Sequence, residues 1–594
     1  MKYHDCFDGL QCARLEVPMD YNRTDGKGRT VAVALTRLPA KVPVTDPRYG
    51  GPILINPGGP GGSGVSQLLY IGREIQTIVD SSIDPNSKSA DDSDPKYFDI
   101  IGFDPRGINN TTPVLSCFPD SFSRQNWGLA AEAVGILGSS EDSFTRNWYR
   151  SRAVADGCSQ ATGTSNDGEE VIGQHMNTSP VAADMVQIIE RHAEWREKQG
   201  KSEQEAQDSR HSYEKAQSIA TRTRWDKGNE KLQYWGFSYG SVLGTTFSAM
   251  YPDKVKRVIL DGVCDSEDYY NGDWFTNLVD ADHILDRFVL YCEAVGPKGC
   301  RFYKSGGGLA IREAYEDVLS KIYKNPISVP ASTERGPEII TWTDVKLMVK
   351  TAMYQPLRFF PLMASLLSDV ASGNGTMFAG LKQERRHPTC PSLECQAKGP
   401  YSSECSTPGE SQNEATLGVL CTDAEGLGQI DEEGFTTYWH ALQQQSKTIG
   451  DYWAHTRLSC IGWKTKAKWR FHGPFTGNTS HPLLWIGNTL DPVTPLRNAQ
   501  KMSLSFPGSV VLQQESEGHT SLTAPSLCTA KAIRAYFQTG QLPARGTICE
   551  ADVKPLLGAV PSFGEKKMLR GDERTLLEAV EKAVGNFRIV GGLV

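Results

Sequence analysis

Ser238 stands at the centre of Gly236-Phe237-Ser238-Tyr239-Gly240, a G-x-S-x-G pentapeptide with aromatic, apolar residues before it and the small-residue run Val242-Leu243-Gly244-Thr245-Thr246 behind it. Glycines two residues either side of a serine let a strand turn sharply into a helix, leaving the hydroxyl strained, exposed and close to the helix N-terminus. Such a hydroxyl becomes a nucleophile when a histidine takes its proton and an acid orients that histidine. Both partners have candidates downstream: Asp491 in Asn488-Thr489-Leu490-Asp491-Pro492-Val493-Thr494-Pro495, and His519 in Glu517-Gly518-His519-Thr520. Upstream, Pro57-Gly58-Gly59-Pro60-Gly61-Gly62-Ser63-Gly64 is a backbone-rich turn able to present N–H groups to an oxyanion.

Each piece needs a strand to hold it. Pro52 to Asn56 reads as a buried strand running into the glycine-rich turn, Leu483 to Gly487 as a second delivering Asp491, and Val510 to Gln513 as a third preceding His519. The chemistry therefore sits beyond strand ends, where open α/β sheets gather their sites. Gly59 to Gly64 also matches the G-x-G-x-x-G dinucleotide pattern, with Asp80 at the distance of a ribose-binding acid. That reading leaves Ser238, Asp491 and His519 without a role, and no Lys-Ser or Lys-Thr pair follows the glycines to make a phosphate loop. Asp261, ending the strand Arg257-Val258-Ile259-Leu260-Asp261, is the rival acid. Asp491 is preferred because its strand is the nearer in sequence to the histidine loop, and Asp261 is then expected to cap backbone N–H groups.

The segments Cys12 to Tyr21, Asn56 to Gly64, Phe103-Asp104-Pro105-Arg106-Gly107, Gly236 to Gly244 and Asp491 to Pro495 occur together here. Gly518 to Ser521, Cys528, Tyr536 to Pro543 and Cys549 follow them. In combination, over most of residues 6–557, they resemble the tripeptidyl-aminopeptidase-like branch of the α/β-hydrolases, relatives of the prolyl aminopeptidases. The resemblance implies an α/β-hydrolase fold, a mostly parallel central sheet flanked by helices, with an inserted, mainly helical cap. It implies Ser238 as nucleophile, Asp491 as acid, His519 as base, and the backbone N–H groups of Gly59 and Tyr239 as oxyanion hole. It also implies disulfides Cys421–Cys460 and Cys528–Cys549. Aminopeptidases of this kind hold the substrate's free amine on cap carboxylates, for which Asp265, Glu267, Asp268, Asp273, Asp280 and Asp282 are candidates. Tyr269, Tyr270 and Trp274 supply an apolar wall; Glu267, Asp268, Tyr269, Tyr270 and Trp274 make the expected substrate-binding set. No metal or organic cofactor is required.

The 594 residues divide on this reading into a catalytic domain at 1–264 and 476–560, a cap at 265–475, and a tail at 561–594 with one helix over Asp572 to Val584. Two stretches depart from the family pattern: the charged insertion Glu194 to Lys231, expected to be a solvated helix or loop, and the Cys-, Pro- and Ser-rich Lys382 to Glu414. The net charge of −8 argues against nucleic acid and anionic membranes as partners, and no apolar run approaches a membrane span. Fourteen cysteines without paired C-x-x-C spacing read as disulfides rather than a zinc site. Cys6 with Cys12 and Cys292 with Cys300 are close pairs, Cys117 with Cys158 is a further expectation, and the partners of Cys264, Cys390, Cys395 and Cys405 stay open. With sequons at Asn22, Asn109, Asn110, Asn177, Asn374 and Asn478, the cysteines suggest an oxidising, secretory setting. No signal peptide precedes Cys6, so a trimmed mature chain is expected, the alternative being an intracellular protein. The expected activity is release of one or a few residues from peptide N-termini. The alternatives are an esterase, lactonase or amidase of a small molecule, and a non-catalytic binding protein.

Overall fold

Short runs rich in Val, Ile, Leu and aromatics, broken by Gly, Pro and Asn, make the strands. The computed structural model describes residues 1–86, 95–163, 170–210, 218–386, 392–399, 404, 411–424, 426–560, 569 and 571–588. The chain opens with β1 (His4–Cys6), β2 (Leu10–Pro18), β3 (Thr30–Leu38), β4 (Tyr49–Asn56), α1 (Gly64–Val79) and β5 (Tyr97–Asp104). A helical excursion follows: α2 (Ser121–Val134), α3 (Ser143–Thr162), α4 (Thr178–Arg210) and α5 (Ser218–Thr223). It leads to β6 (Leu232–Phe237), α6 (Tyr239–Met250) and β7 (Val255–Asp261).

The second, longer excursion runs through α7 (Ser266–Asn271), α8 (Ala281–Gly299), α9 (Gly307–Lys324), the antiparallel pair β8 (Ile327–Val329) and β9 (Glu338–Ile340), α10 (Trp342–Tyr354) and α11 (Pro356–Ala371). It continues with α12 (Thr376–Arg385), α13 (Leu393–Lys398), α14 (Gln412–Asp423), α15 (Glu432–Gln445) and α16 (Gly450–Leu458). The chain returns as β10 (Leu484–Leu490), α17 (Leu496–Ser503), β11 (Val510–Glu517), α18 (Leu527–Thr539), β12 (Ile548–Glu550) and α19 (Gly571–Asn586).

The main sheet has the order β1-β2-β3-β5-β4-β6-β7-β10-β11-β12. It is antiparallel from β1 to β5 and parallel from β5 to β12. Alternation along the central strands makes two covered faces, because successive side chains of a strand point opposite ways. Ile53, Ile55, Trp235, Phe237, Ile259, Leu484 and Ile486 face one apolar layer, which α1, α18 and α19 complete with Ile71, Ile75, Ile533, Leu576 and Val580. Leu54, Tyr234, Leu260 and Trp485 face the other, filled by Met185 and Ile188 of α4 and Val242, Leu243 and Phe247 of α6. A third cluster holds the inserted helices together, and Leu137 and Trp148 from the first excursion belong to it. The covering layer over the strand ends is thus built from both excursions.

Arg106, from the Asp-Pro-Arg-Gly segment, explains why that motif matters. It is fully buried and forms a two-pronged pair with Asp184 of α4, Nε to Oδ2 at 2.7 Å and Nη2 to Oδ1 at 2.6 Å. Its remaining N–H groups donate to the carbonyls of Pro18, Met19 and His175, binding the end of β2 to α4. Such a pair is fully satisfied, and removing one partner strands a buried charge.

Disulfides join Cys6–Cys12, Cys117–Cys158, Cys292–Cys300, Cys421–Cys460 and Cys528–Cys549. Cys395 is also disulfide-bonded, Cys264 is free, and Cys390 and Cys405 lie outside the described residues. Of the insertion at Glu194 to Lys231, the described part continues α4 and forms α5; much of Lys382 to Glu414 lies outside the described residues. Among the sequons, Asn22, Asn374 and Asn478 are exposed, whereas Asn177 is buried and donates to the Trp469 carbonyl. No helix among the described residues is long and apolar enough to cross a membrane.

Arg106→Met is expected to cost about 3–5 kcal/mol of stability, read by urea denaturation; a loss below about 1 kcal/mol would show that the Arg106 network does not brace the fold.

Candidate active site

The register of the parallel strands sets the site. Asn56 lies beside Gly236, Phe237 beside Asp261, and Asp261 beside Ile486, so the C-terminal ends of β4, β6, β7 and β10 meet at one edge. At that edge Ser238 takes φ 57° and ψ −122°, a conformation unfavourable for a residue with a side chain. Its N–H donates to the Asp261 carbonyl at 2.9 Å, and its own carbonyl accepts from the Ser241 N–H at 2.7 Å and hydroxyl at 2.6 Å. A Cβ at Gly240 would come within 2.9 Å of the Asn56 carbonyl oxygen, so that glycine is sterically required.

The turn after β4 closes against this serine. The Gly58 N–H donates to the Asn56 side chain at 2.9 Å, and a Cβ at Gly58, where φ is 84°, would meet the Phe237 carbonyl oxygen at 2.3 Å. Gly59 and Tyr239 both line the cavity beside Ser238. Among the described residues the Gly59 N–H has no acceptor, and Tyr239, first residue of α6, has no intrahelical one.

His519 lines the same cavity, with its Nδ1 3.0 Å from Asp491 Oδ2, 3.1 Å from Asp491 Oδ1 and 3.0 Å from the Thr494 hydroxyl. Asp491 is buried and accepts from the backbone N–H groups of Val493, Thr494 and Thr520 at 2.8–3.0 Å. Burial alone would raise its pKa, but the imidazole and these N–H donors hold the carboxyl below the usual range. Asp261 differs in kind. Burial pushes its pKa up to about 6, and its carboxylate accepts from the N–H and hydroxyl of Ser521 and the indole N–H of Trp235. An acid that receives Nδ1–H leaves Nε2 as a base, and a hydroxyl, an imidazole and an acid so grouped are the parts of an acyl-transfer site.

The cavity has a volume of about 100 Å³. Of the expected substrate-binding set, Asp268, Tyr269 and Trp274 line it. Glu267 stands outside, exposed and paired with Lys501 at 2.7 Å; Tyr270 is buried, with its hydroxyl 3.1 Å from Thr246 and its ring against Phe475. Asp265 lines the cavity but is paired with Lys501 at 2.7 Å. Asp280 pairs with Arg497 and Asp282 accepts from Ser446, Lys447 and Thr448. Asp268 accepts from the N–H groups of Phe275 and Thr276 and the Thr276 hydroxyl, and among the described residues it has no cationic partner.

Several neighbours had no signal in the sequence. The Tyr354 carbonyl accepts the His519 N–H at 2.8 Å, and its ring meets the imidazole edge-to-face at 5.1 Å, so the end of α10 braces the histidine loop. Thr416 of α14 donates to the Pro60 carbonyl at 2.7 Å. Phe587, just past α19, also lines the cavity; it is buried, its ring packs on Phe237 at 5.3 Å, and its carbonyl accepts from Gln355. An amphipathic tail helix announces itself by period, but not which surface it caps.

Residues 51–291 match the family described as alpha/beta hydrolase fold, and residues 446–549 the family described as TAP-like protein. A tripeptidyl aminopeptidase of Streptomyces lividans is 23% identical, covering 92% of this chain and 84% of that protein. The serine protease Hip1 of Mycobacterium tuberculosis is 24% identical over 91% of this chain and 87% of its own. A putative hydrolase of Escherichia coli, YuaR, is 22% identical over 88% and 85%.

Phe587→Ala is expected to enlarge the cavity. In kcat/KM measurements, bulky acyl groups should gain about ten-fold on small ones, at a stability cost of about 3 kcal/mol; an unchanged ratio would exclude the Phe587 ring from the substrate-contacting wall.

Proposed function

The chain belongs to the tripeptidyl-aminopeptidase-like α/β-hydrolases and is a serine hydrolase of the peptidase type, and from that premise we propose an aminopeptidase that releases one or a few residues from peptide N-termini. The observation that carries the reading is Asp268: a carboxylate on the wall of the cavity beside Ser238, anchored by three donors and without a cationic partner among the described residues. Its pKa is raised by burial, a cost that a substrate ammonium would relieve. A carboxylate accepts about four hydrogen bonds, which leaves one lone pair for the ammonium after those three donors. Tyr269 and Trp274 flank it and supply apolar contact.

In this reading Ser238 Oγ attacks the scissile carbonyl while His519 Nε2 accepts its proton, and Asp491 holds Nδ1–H and stabilises the imidazolium. The N–H groups of Gly59 and Tyr239 receive the oxyanion, each worth about 3 kcal/mol in the transition state. The imidazolium protonates the leaving amine, the amine departs, and His519 then activates water against the acyl-enzyme. Peptide is the partner the reading requires. An oxidising, secretory setting is supported by the disulfides and by the exposed sequons at Asn22, Asn374 and Asn478.

The deciding experiment is turnover of aminoacyl, prolyl and tripeptidyl amides with free and acetylated amines, beside aryl esters, with Ser238→Ala as the inactive control. Free-amine amides alone should turn over; ester turnover without amide turnover overturns the reading in favour of a small-molecule esterase. Asp268→Asn should raise KM for free-amine substrates about ten-fold and leave acetylated ones unchanged; equal effects on both would remove Asp268 as the ammonium receiver. Asp491→Asn should lower kcat about 10⁴-fold with the fold intact. The Asp491 carboxyl is held below the usual carboxylate range, so its stabilising contribution is full above the ordinary carboxylate pKa and is lost as pH falls from there through the lower folded value.

A further inference from the structure

A second cavity, of about 510 Å³, lies between the two helical excursions. α10, α14 and α16 separate it from the one at Ser238: Thr351, Leu417 and His455 face the larger space, while Tyr354, Thr416, Leu420 and Tyr452 of the same helices face the smaller. Its wall is largely hydrocarbon and aromatic, with Trp127, Leu347, Met348, Leu362, Met363 and Leu366. The charged groups in that wall are paired, with one exception. Arg124 pairs with Glu414, Lys382 with Asp344 at 2.9 Å, and Arg386 with Glu132. Arg150 has no carboxylate partner among the described residues. It donates to the Trp127 carbonyl at 3.0 Å, and its guanidinium lies 4.1 Å from the centre of that indole.

Beside it is His455, whose Nδ1 is buried without a hydrogen-bond partner. Burial, and then the nearby Arg150 charge, lower the imidazole pKa to about 4, so the ring is neutral at neutral pH. A half-buried cation without a counter-ion and a buried nitrogen without a partner are both costly where they face an apolar wall. Ligand sites have this make-up: mostly apolar walls, a volume of a few hundred Å³, and few polar groups that fix one end of the ligand.

We propose that this cavity is a binding site for a medium-chain alkanoate, with its carboxylate on Arg150 and the His455 Nδ1–H and its hydrocarbon body along α10 and α11. A carboxylate supplies the missing counter-ion and accepts from both groups, and a guanidinium edge takes it in two-pronged fashion. A hydrocarbon body asks nothing further of the wall. A peptide would bring backbone N–H and C=O groups along its whole length to a wall that is largely apolar and whose charged side chains, Arg150 apart, are already paired. The site is independent of the peptide substrate proposed above.

The test uses the full chain with Ser238 blocked by a fluorophosphonate, which closes the smaller cavity, and calorimetric titration with decanoate, 1-decanol and an apolar tripeptide. Decanoate should bind at one site, and 1-decanol about ten-fold more weakly. Arg150→Leu should weaken decanoate about ten-fold while leaving 1-decanol unchanged. Leu362→Trp, which fills the cavity and keeps Arg150, should weaken both ligands. Circular dichroism would verify that each variant is folded, so that lost binding is not lost structure. The proposal is overturned if decanoate fails to bind, if decanoate and 1-decanol bind equally, or if only the tripeptide binds, which would make the cavity a peptide subsite. Decanoate binding to the unblocked chain that disappears on blocking would likewise overturn it, by assigning the ligand to the cavity at Ser238.

Discussion

Ser238 has a side chain, yet its backbone sits at φ 57° and ψ −122°, which costs about 1–3 kcal/mol relative to relaxed geometry. The neighbourhood over-determines that conformation. β7 accepts the serine N–H, Ser241 holds the serine carbonyl from two directions, and the turn after β4 approaches so closely that residues 58 and 240 have no room for a Cβ. These contacts come from strands far apart in the chain. The turn can exist only where β4, β6 and β7 lie side by side in register, so the sheet order and the strained serine are one constraint.

Buried carboxylates at neighbouring strand ends then acquire different roles through their donors. Asp261 and Asp491 are both buried, and in isolation burial raises the pKa of either. Asp491 faces an imidazole and three N–H groups and is held below the usual range; Asp261 faces Ser521 and Trp235 and is left at about 6. The same economy of buried charge appears at Arg106, where five donor groups and their acceptors tie β2, α4 and the loop after β5 together. The charge is tolerated because every donor is met, and removing one partner of such a pair leaves a buried charge unpaired.

The covering layer is part of the site rather than a lid resting upon it. α10 braces the histidine loop through Tyr354, α14 seats on the glycine-rich turn through Thr416, and the tail returns to place Phe587 against Phe237. The first excursion joins the second in one apolar cluster, and the large cavity lies between them. Since α10, α14 and α16 each present residues to both cavities, a shift in any of them alters both spaces.

Much of this was legible from residue types and spacing. The near-continuous apolar runs Pro52 to Asn56 and Leu483 to Gly487 read as strands buried on both faces, and the G-x-S-x-G turn identifies a serine whose backbone is strained, because only glycine tolerates the contacts at its flanks. The placing of Asp491 and His519 beyond successive strands was readable for the same reason: a strand end is a local signal. What the sequence could not rank were the six acidic residues around α7, because each is equally polar in one dimension. Their neighbours decide: Lys501 takes Asp265 and Glu267, Arg497 takes Asp280, and Asp268 alone faces the cavity without a cationic partner among the described residues. Tyr270 and Trp274 belong to one aromatic run, yet only Trp274 lines the cavity, because helix ends and turns rotate adjacent side chains to different surfaces. Sequence by itself determined the elements and the reactive residue types, which follow from local pattern. Tertiary structure decided charge pairing, cavity walls and the reach of Phe587, because those depend on contacts between segments hundreds of residues apart.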